Sequence, residues 1–186
     1  YNPLFKQRNT HSLRASVEVA GNLLYALSKL TKSDKDENGN YQLFGINYAQ
    51  FVKADFDFSK SIVLDERNSI AYRIGAGVGF PYGNGEMLPF ERRYFSGGAN
   101  SVRGWSVRRL GPGSMTVTDS TSFFNQSGDV RLDLSVEYRS KLFWKFEMAA
   151  FIDAGNIWTI RPYSFQEKGN FDFSRFYKEI ALSYGL

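Results

Sequence analysis

Glu137 and Asp153 are the two acids whose surroundings invite a chemical reading. Each lies where polar and apolar residues alternate, over 129–139 and 144–158. A turn near 140–143 would lay the two stretches side by side, with both carboxylates on one face. Paired carboxylates can serve as acid and base in glycoside hydrolysis, but nothing else in the chain looks like a sugar site. Otherwise two neighbouring carboxylates repel unless a cation joins them. Other chemistry is tightly bounded. The 186 residues hold no Cys and a single His, His11. Disulfides, thiol nucleophiles and Cys/His zinc sites are excluded. A Ser-His-Asp triad would have to use His11, which reads as an interfacial or turn residue at the start of an alternating stretch. The expectation is a protein that is not an enzyme, with no cofactor and no metal.

The acids must be positioned by strands. Alternation with a period of two runs over 12–27, 41–58, 69–80, 129–139, 144–158 and 176–186. In 129–139, Val130, Leu132, Leu134, Val136 and Tyr138 oppose Asp129, Arg131, Asp133, Ser135, Glu137 and Arg139. In 69–80, Ile70, Tyr72, Ile74, Ala76, Val78 and Phe80 oppose small or charged residues that include Gly75, Gly77 and Gly79. Strands of soluble sandwiches average about five or six residues. These are longer, and suit the roughly 9–11 residues of a tilted membrane-spanning strand. The apolar runs 23–27 and 148–152 are five residues each, far short of the roughly 18 that a transmembrane helix needs.

The charged face is also too polar for a dry core, so the pattern predicts an apolar exterior and a polar interior. Phe, Tyr and Trp make up 17% of the chain. Phe80, Tyr138, Phe143, Trp144, Trp158 and Phe176 fall near strand ends, as an interfacial girdle would. A soluble antiparallel β protein with one wet face is the competing expectation. The net charge of +4 is spread along the chain. No basic block carries interleaved stacking aromatics, so nucleic acid is not an expected partner.

Six strands leave two edges that cannot face lipid, and bacterial barrels have eight or more. The expectation is therefore an all-β, antiparallel transmembrane barrel segment over 1–186, part of a larger barrel. One long irregular loop, 81–127, interrupts the alternation. The order of 31–40 and 115–127 is left open.

That loop contains Phe90-Glu91-Arg92-Arg93-Tyr94-Phe95-Ser96-Gly97-Gly98-Ala99-Asn100-Ser101-Val102-Arg103-Gly104-Trp105. The string resembles the conserved loop of the BamA/TamA superfamily of outer-membrane insertases and translocators, the bacterial surface antigen family. There an aromatic-x-Gly-Gly segment precedes a Val-Arg-Gly-aromatic tetrad. Here Trp105 stands where Phe or Tyr is more usual. Phe151-Ile152-Asp153-Ala154-Gly155 is similar to the family's aromatic-x-Asp-x-Gly strand motif, and Ser135-Val136-Glu137-Tyr138 to the Glu-bearing segment before it.

The resemblance implies the C-terminal part of a barrel of about sixteen strands, with the final strand and the periplasmic POTRA domains outside this sequence. It implies a bacterial outer-membrane location and the insertion of other barrel proteins. The implied partners are membrane lipids, unfolded barrel clients and periplasmic or lipoprotein accessory subunits. A two-partner-secretion or surface-export translocator, or an ordinary porin, are the alternatives. It further implies that Arg103 folds back against the barrel wall. A planar guanidinium can bridge two carboxylates, so Arg103 is expected to pair with Glu137 and Asp153. Gly97, Gly98 and Gly104 would allow tight turns or close approach to the wall. Trp105 would pack where Gly75, Gly77 and Gly79 leave room.

Overall fold

A computed structural model describes residues 9–37, 39–116 and 125–186. The elements in chain order are β1 (Thr10–Ala20), α1 (Asn22–Thr31), β2 (Gln42–Leu43), β3 (Ile46–Asn47), β4 (Phe51–Val63), β5 (Asn68–Pro81), β6 (Val130–Lys141), β7 (Glu147–Trp158) and β8 (Ala181–Gly185). Six of them form one antiparallel sheet in the order β1-β4-β5-β6-β7-β8, while β2 and β3 make a separate small hairpin. The large sheet is open, with β1 and β8 at its edges. Short turns join β4 to β5 and β6 to β7 at one end. Long connections (21–50, 82–129 and 159–180) gather at the other.

Register carries the alternation across the whole sheet. Leu13, Phe58, Ile74, Leu134, Ala154 and Leu182 stand in one row. The adjacent row reads Ser12, Ser59, Arg73, Ser135, Asp153 and Ser183. Directly opposed residues share a face, so one face is apolar and the other polar or small. Burial is inverted relative to a water-soluble protein. Leu13, Val17, Ile152 and Leu182 are more than half exposed, whereas Asp129, Asp133, Asp153 and Ser183 are buried. The polar face is the covered one because described residues of the 82–129 connection lie against it, as the Arg103–Asp153 and Tyr94–Asp55 bonds show.

Several expected boundaries move. The strand expected over 12–27 ends at Ala20, and Asn22–Thr31 is helical. Gly21 makes the break with φ +82, where a Cβ would run into the backbone of Ala49 and Gln50. From there Leu23, Leu27 and Leu30 follow the helical spacing of four and three. The strand expected over 41–58 begins only at Phe51 and continues to Val63. Its first part is the β2–β3 hairpin, turned by Phe44 and Gly45, both at positive φ. Such a two-residue turn has the backbone sense that matches strand twist. β7 starts at Glu147 rather than 144, because 142–146 is the turn and Trp144 has φ +53. Phe176–Lys178 is a 3₁₀ turn, and β8 starts at Ala181. Within the expected loop 81–127, residues 117–124 lie outside the described residues.

The expected girdle also needs correction at Trp158. Its register partner is Val130 on the apolar face, yet it is fully buried. Phe171 and Phe176 meet it edge-on at 5.5 and 6.3 Å, and its Nε1 donates to Glu179 Oε2 at 2.7 Å. The segment after β7 folds down over the apolar face at this point.

Candidate functional site

Ser135 pairs with Asp153 and Glu137 with Phe151 across the β6–β7 ladder. The two acids are therefore diagonal neighbours on the covered face, with an aromatic ring beside them. Diagonal positions of an antiparallel pair lie about 7–8 Å apart, a gap that one guanidinium can span. Arg103 does so. Its Nε donates to Asp153 Oδ2 at 2.7 Å and its Nη2 to Asp153 Oδ1 at 2.8 Å. Nη1 donates to Glu137 Oε2 at 2.6 Å. The Arg103 backbone N–H adds a bond to Asp153 Oδ2 at 3.1 Å, and Nη2 reaches Ser135 Oγ at 3.3 Å. The guanidinium carbon sits 3.6 Å from the centre of the Phe151 ring, a cation–π contact on the same wall. Hydrogen bonding to Asp153 above all, and then to Glu137, holds the Arg103 pKa above its ordinary value despite partial burial. The structure brings Arg103, Glu137 and Asp153 together.

The rest of the tetrad fits the wall by shape. Val102 is fully buried, and a Cβ on Gly155 would lie 3.2 Å from Val102 Cγ2. Gly104 faces β8, where a Cβ would come within 2.6 Å of Ser183 Cβ. The strand motif thus has one task per residue: Phe151 stacks, Asp153 accepts, and Gly155 makes room. Gly97 and Gly98 have φ of +95 and +90. They let the loop double back, so that the Gly98 N–H donates to Trp105 O at 2.7 Å. Ser101 extends the contact by donating to Asp133 Oδ1 at 2.5 Å, and Arg73 donates to the carbonyl of Asn100.

The room beside Gly77 and Gly79 is not used by Trp105. A Cβ on Gly77 would strike the Tyr94 hydroxyl end, and one on Gly79 would meet Leu88. Tyr94 donates to Asp55 Oδ1 at 2.7 Å, and burial holds its phenol far above the ordinary value. Three glycines in alternation on one strand face signalled a close approach, but not by which side chain.

A second clamp was missed at the sequence level. Arg93 and Asp129 form an ion pair at 3.1 Å with side chains 2% and 0% exposed. Arg93 Nη2 also donates to Gln166 Oε1 at 2.9 Å, and Gln166 Nε2 donates to the carbonyls of Asn125 and Ser127. The Ile160 N–H closes the set on Asp129 Oδ2 at 3.1 Å. Burial raises the Asp129 carboxyl, against the pull of Arg93. Burial, with the Asp129 charge, pushes the Tyr163 phenol up to about 12. The network ties the 82–129 connection to the 159–180 connection. Its members are scattered, and no spacing in the sequence announces it.

These contacts form a mechanical fastening. Arg103 and Arg93 each neutralise buried acid on the wall, and the loop between them is held at both ends. A sequence model described as the Omp85 superfamily domain matches residues 11–186.

Proposed function

The chain belongs to the Omp85 superfamily, outer-membrane proteins that insert or translocate other proteins, and from that premise we propose a BamA/TamA-like role: folding and inserting β-barrel proteins into the bacterial outer membrane. The bare apolar face would meet lipid, and the covered polar face would line the lumen. The clients would be unfolded barrel proteins, and the other partners membrane lipids and periplasmic or lipoprotein accessory subunits. No bond is made or broken in this role. Client strands would add by edge pairing, with the fastened loop bracing the wall from inside.

The observation that carries the reading is the Arg103 clamp on Glu137 and Asp153. It spends two buried or half-buried acids to fix a loop on the polar wall, where an open pore would leave that face to water. The test places the full-length protein in phospholipid vesicles and adds a urea-unfolded barrel client. Protease-protected, heat-modifiable client should accumulate faster than in empty vesicles, and more slowly with Arg103→Ala. Export of a soluble passenger without client folding would favour the translocator. Steady ion conductance without either would favour a porin.

A further inference from the structure

The apolar face of the sheet carries a groove of about 490 Å³, within the roughly 300–1,000 Å³ of small-molecule sites. Its floor includes Ala54, Ala76 and Leu132, on β4, β5 and β6. Its wall is Phe171 and Phe173, from the segment that folds down after β7, backed by the buried Trp158. Alanines in the floor and large rings in the wall create the depression. Phe173 remains 83% exposed, which is costly for a ring standing in water.

The place of the groove in the sheet decides what can fill it. β4, β5 and β6 are each paired on both sides. Their backbone N–H and C=O groups are spoken for, so no strand can add there. A peptide backbone in the groove would lose water without gaining partners. A hydrocarbon chain has no such groups to satisfy.

A cation stands above the groove toward the long-loop end. Arg161 lies with its guanidinium 5.4 Å from the Phe80 ring, one step up the apolar face from the groove-lining Val78. Arg161 donates to the Pro81 carbonyl at 3.0 Å and makes no ion pair among the described residues. An apolar slot below an uncompensated guanidinium is complementary to a lipid with a phosphate at its head.

We propose that this groove binds one acyl chain of a phosphorylated lipid of the surrounding leaflet, with Arg161 on the phosphate. The proposal rests on the membrane reading above, and deepens it by assigning a lipid subsite to the outer wall.

The test uses the full-length protein, delipidated in detergent and titrated with sixteen-carbon phosphatidic acid or the matching diacylglycerol. Bound lipid is counted by native mass spectrometry. Wild type should prefer phosphatidic acid. Arg161→Gln should weaken phosphatidic acid about tenfold, the loss of one charge-assisted contact, and leave diacylglycerol unchanged. Ala76→Trp, which fills the floor, should abolish both. Phe173→Ala, an exposed wall residue, should weaken both several-fold and serves if the Trp variant does not fold. Equal binding in wild type and in a folded Ala76→Trp or Phe173→Ala protein would overturn the groove. Unchanged phosphatidic acid binding in Arg161→Gln would overturn the phosphate contact. Insertion into vesicles is scored separately by heat-modifiable migration. A protein that inserts but binds neither lipid sinks the groove alone, and one that never inserts sinks the membrane reading.

Discussion

Arg103 grips both oxygens of the fully buried Asp153, at 2.7 and 2.8 Å, while its remaining terminal nitrogen holds Glu137 at 2.6 Å. Removing the guanidinium strands a buried carboxylate. Breaking such a pair from one side costs about 3–5 kcal/mol. Arg103→Ala should therefore lower the urea midpoint of the protein folded in vesicles by that order. Arg103→Lys restores charge but not the forked geometry, and should recover only part of the loss. Equal midpoints for wild type and Arg103→Ala would remove the clamp from the account of stability.

Glu137 is held less exclusively than Asp153. Arg139 Nε donates to its other oxygen at 2.6 Å, from a more exposed position. Glu137→Gln should cost less than Arg103→Ala. The double-mutant cycle between them should still show a coupling of about 0.5–3 kcal/mol, as for residues in direct contact. Strict additivity would mean that Glu137 answers to Arg139 alone.

Gly104 tests the fit of the loop against β8. A Cβ there would sit 2.6 Å from Ser183 Cβ, so Gly104→Ala must push the loop off the wall or bend it. The expected result is faster protease cutting within 82–129. Ser183→Gly in the same chain should restore protection. Failure of that rescue, with Gly104→Ala still sensitive, would place the strain elsewhere.

The sheet and the two acids of the clamp were legible for one reason: both are written in period two. Val130 to Tyr138 and Phe151 to Gly155 fix which side chains share a face, and the register only had to align them. Arg103 carried no such pattern; the Val-Arg-Gly-Trp string located it. What stayed hidden depends on contacts between distant loops. Nothing near Arg93 points to Asp129, 36 residues away, or to Gln166 beyond it. The helix at Asn22–Thr31 was hidden by a run that alternates up to Ala20 and then changes period at a single glycine. Trp158 looked like a girdle residue because it falls near a strand end. Only the return of Phe171 and Phe176 buries it.

The second clamp predicts an asymmetry between breaking and replacing. Asp129→Asn leaves Arg93, 2% exposed, without its carboxylate, and should destabilise the protein by about 3–5 kcal/mol. Replacing both, as Arg93→Met with Asp129→Leu, removes the desolvation penalty along with the attraction and should cost clearly less. Urea titrations of the single and double variants decide it. A double variant worse than the single would mean that the bonds to Gln166 and Ile160 outweigh the ion pair.

The turn between β4 and β5 gives the pH prediction. Asp65 accepts from the backbone N–H of Arg67 and of Asn68 at 2.7 and 2.9 Å, and from Asn68 Nδ2 at 2.7 Å. The Asn68 side-chain bond, with the backbone N–H of Arg67, holds the carboxyl below its ordinary 3.8. A depressed carboxylate pKa means that the folded turn binds its proton more weakly than the unfolded chain does. Its contribution is therefore fully present above about pH 3.8 and is lost as pH falls through the lower folded value. The Asn68 amide resonance should move with acid over that low window in wild type. In Asp65→Asn, which has no carboxylate to titrate, it should stay flat. A wild-type midpoint at or above the ordinary carboxylate value would show that these bonds do not favour the charged form.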